Sequence, residues 1–507
     1  MTITQGKKKI ITCLFFIILF GIGLSIFSDY GISWDEKFQR DYGHTVYNYI
    51  FKGDEKLFSH RDRYYGPVFE VLLVFIEKVF NLSDSRDIHL MRHLATFLIF
   101  FTGVCFFYQL CKYRFQNWEI GILGSLFLIL SPRIFAHSFY NSKDIPFLSL
   151  FIVSIYTLVR YLDKKTFSRA ILHALASAFL IDIRVLGIIV PFITILFTIV
   201  DLLRSKNKRI IITLLVYIFW LIPLVVLFWP ILWQMPLHNF IEAFKHMSRF
   251  PWNMTVLYLG DHVKSTELPW HYVPLWITIS IPLSYVFCFF IGLLSSLRNP
   301  VELLSIRRND LIFMLWFFLP LVSLITLRSV LYDAWRQTFF IYPGFLMLAL
   351  IGLRSLFKFS KKGLTQKVVI ATLTLIMAVN LIGTVIFMVR YHPYQNVYFN
   401  VLAGGMKNAK DKFELDYWGL SYRRALEYIL ENDTDDIIKV CVANPVGRRN
   451  ACILPRDSRS RFVFVNNPSK AKYFLSNYRW YKKEYSYVEE YYSIKIDGAK
   501  IMVVYKL

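Results

Sequence analysis

Cysteine is scarce, six in 507 residues, and no Cys/His spacing suggests a zinc site. Cys13, Cys105, Cys111 and Cys288 lie in or beside apolar segments, where the thiol acts as a small hydrophobe. Cys441 and Cys452 share the C-terminal region, where a disulfide is open. No Gly-rich phosphate loop or nucleotide fingerprint stands out, which argues against nucleotide-cradling enzymes. No internal repeat or low-complexity tract is visible. Acidic residues are few, 35 Asp and Glu against 58 Lys and Arg, leaving a net charge of +23. In a soluble chain that excess would suggest nucleic acid, yet no aromatic-interleaved basic patch is present. The basic residues gather instead in short loops: Lys7-Lys8-Lys9, Lys112 with Arg114, Lys164-Lys165 with Arg169, Arg204 to Arg209, Arg307-Arg308 and Lys358 to Lys367. This positive-inside pattern places those loops in the cytoplasm. Phe27-Ser28-Asp29-Tyr30 offers no small-x-small cleavage site after the first apolar run, so that run reads as an uncleaved span.

What is abundant is apolar sequence. The chain is 56% hydrophobic and 18% aromatic, with a mean hydropathy of +0.44, above the 45–50% apolar usage of soluble domains. Runs such as Ile10–Phe27, Phe97–Leu110, Ile210–Phe228 and Val368–Val389 approach or reach the roughly 20 residues a spanning helix needs. With the basic loops as cytoplasmic anchors, about eleven transmembrane helices follow: 10–27, 94–111, 118–133, 145–161, two within 170–202 broken at Asp182-Ile183-Arg184, 210–229, 274–296, 310–327, 338–356 and 368–389. The expected fold is a polytopic α-helical membrane protein, with domain 1–390 in the membrane. Long outer loops fall at 28–90 and 230–273, a short one at 134–144. Within the long loops, Lys37–Phe51, Tyr64–Phe80 and Leu237–Phe250 carry helical apolar spacing and read as interfacial helices.

At Arg390 the composition shifts to a tail rich in charge and tyrosine. Ile437–Val442, Arg461–Val465 and Ile494–Val504 read as strands, the last with an Asp497-Gly498 hairpin turn, and Leu420–Leu430 as an amphipathic helix. Residues 391–507 are therefore expected to form a small extracytoplasmic α/β domain. Asp416 either caps the Leu420 helix or docks the tail on the membrane part. Trp229, Trp233, Trp252 and Trp270 read as interface anchors, and Arg448-Arg449 as a solvated turn. His44, His60 and His89 show no metal-ligand spacing.

The chemistry-bearing residues cluster by topology. Asp35-Glu36 follows the first span. The next outer loop carries Arg133, His137, Asn141, Lys143 and Asp144 and re-enters the membrane at Pro146. The break at Asp182/Arg184 falls on the same face. Ionisable groups at membrane depth are costly and usually kept for function. Cations there can bind a lipid-linked phosphate, and a carboxylate can take the proton from an attacking hydroxyl, with phosphate leaving as Arg or Lys stabilises its growing charge.

In this order Asp35-Glu36, Tyr65-Gly66-Pro67, Asn141-Ser142-Lys143-Asp144-Ile145-Pro146, Arg184-Val185-Leu186-Gly187, Tyr332-Asp333-Ala334-Trp335-Arg336, Tyr391-His392-Pro393-Tyr394-Gln395 and Glu414 to Tyr422 resemble the GT-C glycosyltransferases. The nearest likeness is to family 39, which holds the protein O-mannosyltransferases and lipid A aminoarabinose transferases. The resemblance implies an inverting transfer from a polyprenyl-phosphate sugar to a hydroxyl acceptor (protein, lipid or glycan) at the outer face of the bacterial cytoplasmic membrane. It implies no required cofactor, although an acid pair could hold a divalent cation. Carried over by position, Asp35 is the general base and Asp144 the second carboxylate, with Glu36 beside them holding the loop. Arg184 and Lys143 hold the donor phosphate, backed by Arg133, Arg328 and Arg336. Tyr65, His137, Asn141 and Tyr332 line the substrate cavity. One departure is that Arg63–Glu70 lacks the late lysine of the mannosyltransferase loop. The alternative is a transporter or flippase of a lipid-linked sugar. The absence of repeated halves and the acids at the surface rather than the midplane weigh against it.

Overall fold

The computed structural model describes residues 4–248, 250–297, 308–359, 363–481 and 483–507. Arg307 and Lys361-Lys362 of the basic loops lie outside the described residues. The first helices in chain order are α1 (Gln5–Ile26), α2 (Glu36–Lys52), α3 (Val68–Val79), α4 (Ser85–Phe115), α5 (Trp118–Ile129), α6 (Pro132–Tyr140), α7 (Asp144–Asp163), α8 (Phe167–Ile183), α9 (Ile189–Ser205), α10 (Arg209–Phe228), α11 (Pro236–Ser248), α12 (Tyr272–Ser280) and α13 (Leu283–Leu297). Three long helices follow at Arg308–Thr326, Tyr342–Phe359 and Leu364–Arg390. This is a multi-pass membrane protein. Among the described residues eight helices are long and apolar enough to cross a membrane, and a ninth is the bent pair α5–α6. The shorter α8 packs along α10 and α7, and α13 along Tyr342–Phe359. Both fall short of a full span, so the described residues give at most nine candidate spans where the sequence predicts about eleven.

The expected outer loop 134–144 is instead mostly α6, turned 72° from α5. Pro132, at its first position, has no N–H to continue α5 and suits a helix start. Every residue of α6 is buried, so the segment plugs the bundle. The α8–α9 break falls where the charges interrupt the apolar run: Arg184 is extended (φ −152°, ψ 132°), followed by one 3-10 turn. The interfacial helices α2, α3 and α11 match their predicted stretches within a few residues.

One end of the bundle is fastened by Lys165–Asp201 (2.5 Å), Arg308–Asp201 (3.1 Å) and Arg114–Asp310 (2.6 Å). The other end carries the tail. There a five-stranded sheet, order β4-β3-β5-β7-β6, comprises β3 (Ile438–Val442), β4 (Phe462–Val465), β5 (Tyr473–Ser476), β6 (Glu489–Ile496) and β7 (Ala499–Lys506). The first three are parallel; β7 is antiparallel to β5 and β6. Asp497 and Gly498 both take positive φ in the β6–β7 turn, as a type I′ hairpin requires. The helix Ser421–Asn432 covers the sheet with Leu426 and Ile429. The sequence did not signal β5, nor the hairpin of β1 (Thr255–Tyr258) and β2 (Asp261–Lys264). Cys441 and Cys452 are both free thiols.

The tail shares one hydrophobic core with the membrane part. Asn450 makes a two-way bridge to Ile32, accepting from its N–H (2.9 Å) and donating to its carbonyl (3.0 Å). Asn400 donates to the carbonyls of Thr278 and Ile281 at 2.7 and 2.8 Å. These contacts press the tail onto the loop that follows α1 and onto the end of α12.

Candidate active site

Three backbone breaks converge beneath the tail, each shaped by one polar residue. In the first, after α1, Glu36 Oε1 accepts the Ser33 N–H at 2.6 Å. Its Oε2 lies 3.0 Å from His89 Nδ1 and 3.1 Å from His93 Nε2, both on α4. Burial pushes the Glu36 carboxyl up, but His93 and His89 outweigh it and hold the group well below the usual carboxylate range. Glu36 is thus turned toward α4, away from the cleft. Asp35, one residue earlier, points the other way. The two neighbouring carboxylates thus face different partners.

In the second break, before α7, Asn141 Oδ1 accepts the Asp144 N–H (2.9 Å) while its Nδ2 donates to Asp144 Oδ2 (2.8 Å). The asparagine caps the helix and orients the carboxylate that opens it. Asp144 also binds Arg184 Nη2, and Arg336 Nη1 at 3.0 Å. In the third break, Asp182 does not pair with Arg184. Its Oδ2 accepts the Val68 N–H (3.0 Å) at the first turn of α3, satisfying a donor that the helix start leaves open. Gly66 lies so close to the Asp182 carbonyl that a Cβ would stand 1.0 Å from its oxygen. Only glycine fits there. Arg184 is left to face Asp144 and to donate to the Gln337 carbonyl (3.2 Å).

Arg336 joins these pieces. Its Nη2 lies 3.1 Å from Asp35 and 3.5 Å from Asp333, its guanidinium sits 4.6 Å from the Trp418 ring centre, and its side chain is 2% exposed. The two carboxylates differ in access: the Asp144 side chain is 1% exposed, that of Asp35 27%. Beside them opens a cleft lined by Tyr65, Lys143, Arg184, Tyr332 and Arg336, with apolar walls such as Met247 and Leu324. Lys143 Nζ stands 3.1 Å above the centre of the Tyr65 ring. Burial, then the nearby Arg184 guanidinium, push the Lys143 ammonium down to about 8.

His137 lies between Asn141 Nδ2 (3.0 Å) and Trp418 Nε1 (3.1 Å), behind the carboxylates. Two expected phosphate ligands are elsewhere. Arg133 is buried, donates to the Tyr398 carbonyl (2.9 Å) and sits 4.5 Å over Phe399, because α6 is a buried helix rather than a loop. Arg328 is exposed in a neighbouring cleft with Thr266 and Trp270, set apart by the turn that ends Arg308–Thr326. Other expectations also change. Trp229 is wholly buried, Trp252 stacks on Tyr332 at 4.3 Å, and Arg449 donates to the Trp34 carbonyl (2.8 Å) rather than to solvent. Asp416 caps the helix Ser421–Asn432 through the Gly419 and Ser421 N–H groups (3.1 and 3.0 Å), and the adjoining Trp418 docks the tail. Sequence reasoning gave no role to Asp333, Trp418 or Arg479; the first two lie in stretches it singled out, whereas nothing marked the third. Among the described residues no group of three or more His, Cys, Asp or Glu is placed to hold a metal ion.

The whole chain superposes on the crystal structure of ArnT from Cupriavidus metallidurans bound to undecaprenyl phosphate. The TM-score is 0.50 at 12% identity, with 96% of this chain and 97% of that one covered. The fold is of the GT-C glycosyltransferase type. The apo state of the same ArnT matches at a TM-score of 0.47 and 13% identity over 96% of this chain and 97% of that one. The oligosaccharyltransferase of Archaeoglobus fulgidus matches at 0.49 and 10%, over 91% of this chain and 65% of that one. Residues 66–229 match the model of the family described as dolichyl-phosphate-mannose-protein mannosyltransferase. That stretch takes in Gly66, Asn141, Lys143, Asp144 and Arg184. No curated protein matches.

Proposed function

We propose that this chain is an inverting glycosyltransferase that moves a sugar from a polyprenyl-phosphate donor to a hydroxyl acceptor at the outer face of the bacterial cytoplasmic membrane. The carrying observation is the asymmetry of the two carboxylates beside a cleft that holds both cations and apolar walls. Asp144 already accepts from Asn141, Arg184 and Arg336, so it anchors the cations. Asp35 keeps an open edge that an acceptor can reach, which suits a general base.

In this reading the lipid tail follows the apolar walls and the phosphate meets Lys143 and Arg184. The acceptor oxygen attacks the anomeric carbon from the side opposite the phosphate while Asp35 takes its proton. The carbon–oxygen bond to phosphate breaks, and its electron pair leaves with the phosphate oxygen. Lys143 and Arg184 stabilise the charge that grows there. Arg336 fixes the distance between the base and Asp144, and Tyr65 and Tyr332 flank the cleft. The positive-inside pattern puts the tail and this cleft outside.

The test is to incubate the purified, lipid-reconstituted protein with a panel of polyprenyl-phosphate hexoses and pentoses plus a membrane extract as acceptor. Polyprenyl phosphate is then followed by mass spectrometry. Release that depends on both donor and acceptor supports the reading; no release with any donor refutes it.

A further inference from the structure

Arg479 comes from the tail, on the loop after β5, yet reaches both halves of the site. Its Nη2 donates to Asp333 Oδ1 at 2.9 Å, and Asp333 is the third carboxylate on Arg336, at 3.5 Å. Its Nη1 donates to the Tyr417 carbonyl, next to Trp418. Its guanidinium also sits 5.0 Å from the Trp34 ring centre and 4.5 Å from that of Trp480. Trp34 directly precedes Asp35. The Arg479 side chain is 5% exposed and that of Asp333 11%.

What Arg479 grips needs holding. Asp333 and Ala334 both lie in the left-handed region, at φ 54° and 62°. Two successive non-glycine residues there are disfavoured unless their surroundings enforce them. That strained pair sits two residues before Arg336, so its relaxation would swing the guanidinium that spans Asp35 and Asp144. On the other flank Trp34 is held twice from the tail, by Arg479 on its ring and by Arg449 on its carbonyl. A planar fork that bonds in two directions while stacking on a ring is a task for arginine, which lysine performs only in part.

We propose that Arg479 is a positioning residue through which the outer domain sets the Asp35–Arg336 geometry, so that the membrane domain is catalytically competent only with the tail seated on it. The proposal rests on the transferase reading above. Arg479 touches neither of the cleft cations assigned to the donor, Lys143 and Arg184, so its loss acts on turnover and not on lipid phosphate binding.

The experiment compares wild type with Arg479→Ala, Arg479→Lys, Asp333→Asn and the double change Arg479→Ala with Asp333→Asn, all as full chain in nanodiscs. Four quantities are read: kcat with whichever polyprenyl-phosphate sugar the wild type uses, affinity for undecaprenyl phosphate, melting temperature, and amide hydrogen exchange over 31–36 and 330–338. For Arg479→Ala we expect kcat to fall about 10- to 100-fold, as ångström-scale misplacement does, with affinity within about threefold. Arg479→Lys should recover part of the loss, and the double variant should lose less than the sum of the two single losses, since both changes cut the Arg479–Asp333 link. Exchange should quicken over both segments while the helix Ser421–Asn432 stays protected. If Arg479→Ala does not fold, the kcat of Arg479→Lys decides. The inference is overturned by kcat within twofold of wild type, by additive losses in the double variant, or by exchange that rises across the whole tail. If the wild type transfers no sugar, the transferase reading fails, and the exchange pattern alone then judges the positioning role.

Discussion

Lys143 offers the sharpest test of the phosphate site. Its ammonium is held at about 8, by burial first and Arg184 second, so part of its charge is lost between pH 7 and pH 9. If only the protonated form binds the lipid phosphate, the apparent dissociation constant grows as one plus the ratio of neutral to charged lysine. That ratio is about 0.1 at pH 7 and about 10 at pH 9, giving an affinity loss of about tenfold across the interval, or about 1.4 kcal/mol. The sign is fixed: a cation with a depressed pKa loses its charge as pH rises, so binding weakens toward alkali. The ligand adds little to this, because a phosphate monoester has its second pKa near 6 and is already about nine-tenths dianionic at pH 7. The assay is titration of undecaprenyl phosphate into nanodisc-embedded protein from pH 7 to 9. Lys143→Arg, charged throughout, should flatten the profile at the high-affinity level, and Lys143→Gln should flatten it at the low one. A wild-type profile that is level over this range, or that strengthens with pH, refutes the assignment.

Asp35→Asn should cut transfer by roughly 10²–10⁴ while leaving undecaprenyl phosphate affinity unchanged; retention of half the wild-type rate would remove Asp35 as the base. Arg184→Ala should weaken that affinity by about tenfold or more, the scale of one charge-assisted hydrogen bond, and Arg184→Lys should restore only part of it. Glu36→Gln should destabilise the fold by roughly 2 kcal/mol at pH 7 without changing donor affinity. Because the Glu36 carboxylate is depressed from 4.5, the gap from wild type in melting temperature should hold above that pH and shrink as pH falls below it. In a cysteine-free background, Val488→Cys on the exposed tail surface should react with an impermeant maleimide in intact spheroplasts, and Ser205→Cys only after lysis. The reverse labelling would invert the topology.

The transmembrane character, the basic and acidic ends and the interfacial helices α2, α3 and α11 were all legible in the sequence. They depend on local periodicity and on charge, which act over one or two helical turns. Asp497-Gly498 foretold its hairpin for the same reason. The break at Asp182–Arg184 was equally plain, because a charged interruption in an apolar run must be satisfied by something. What satisfies it was not plain. Asp182 and Arg184 are two residues apart, yet one caps α3, 114 residues earlier, and the other binds Asp144, 40 residues away. The neighbours Asp35 and Glu36 likewise face opposite ways, one toward Arg336 and one toward His89 and His93. Arg133 and Arg328 looked equivalent to Arg336 by side and charge, but only the turn before Arg336 brings its guanidinium between the two carboxylates. Residue type and spacing determine which groups must leave the hydrocarbon. Which partner each finally meets is decided by packing across hundreds of residues, and no local pattern encodes that.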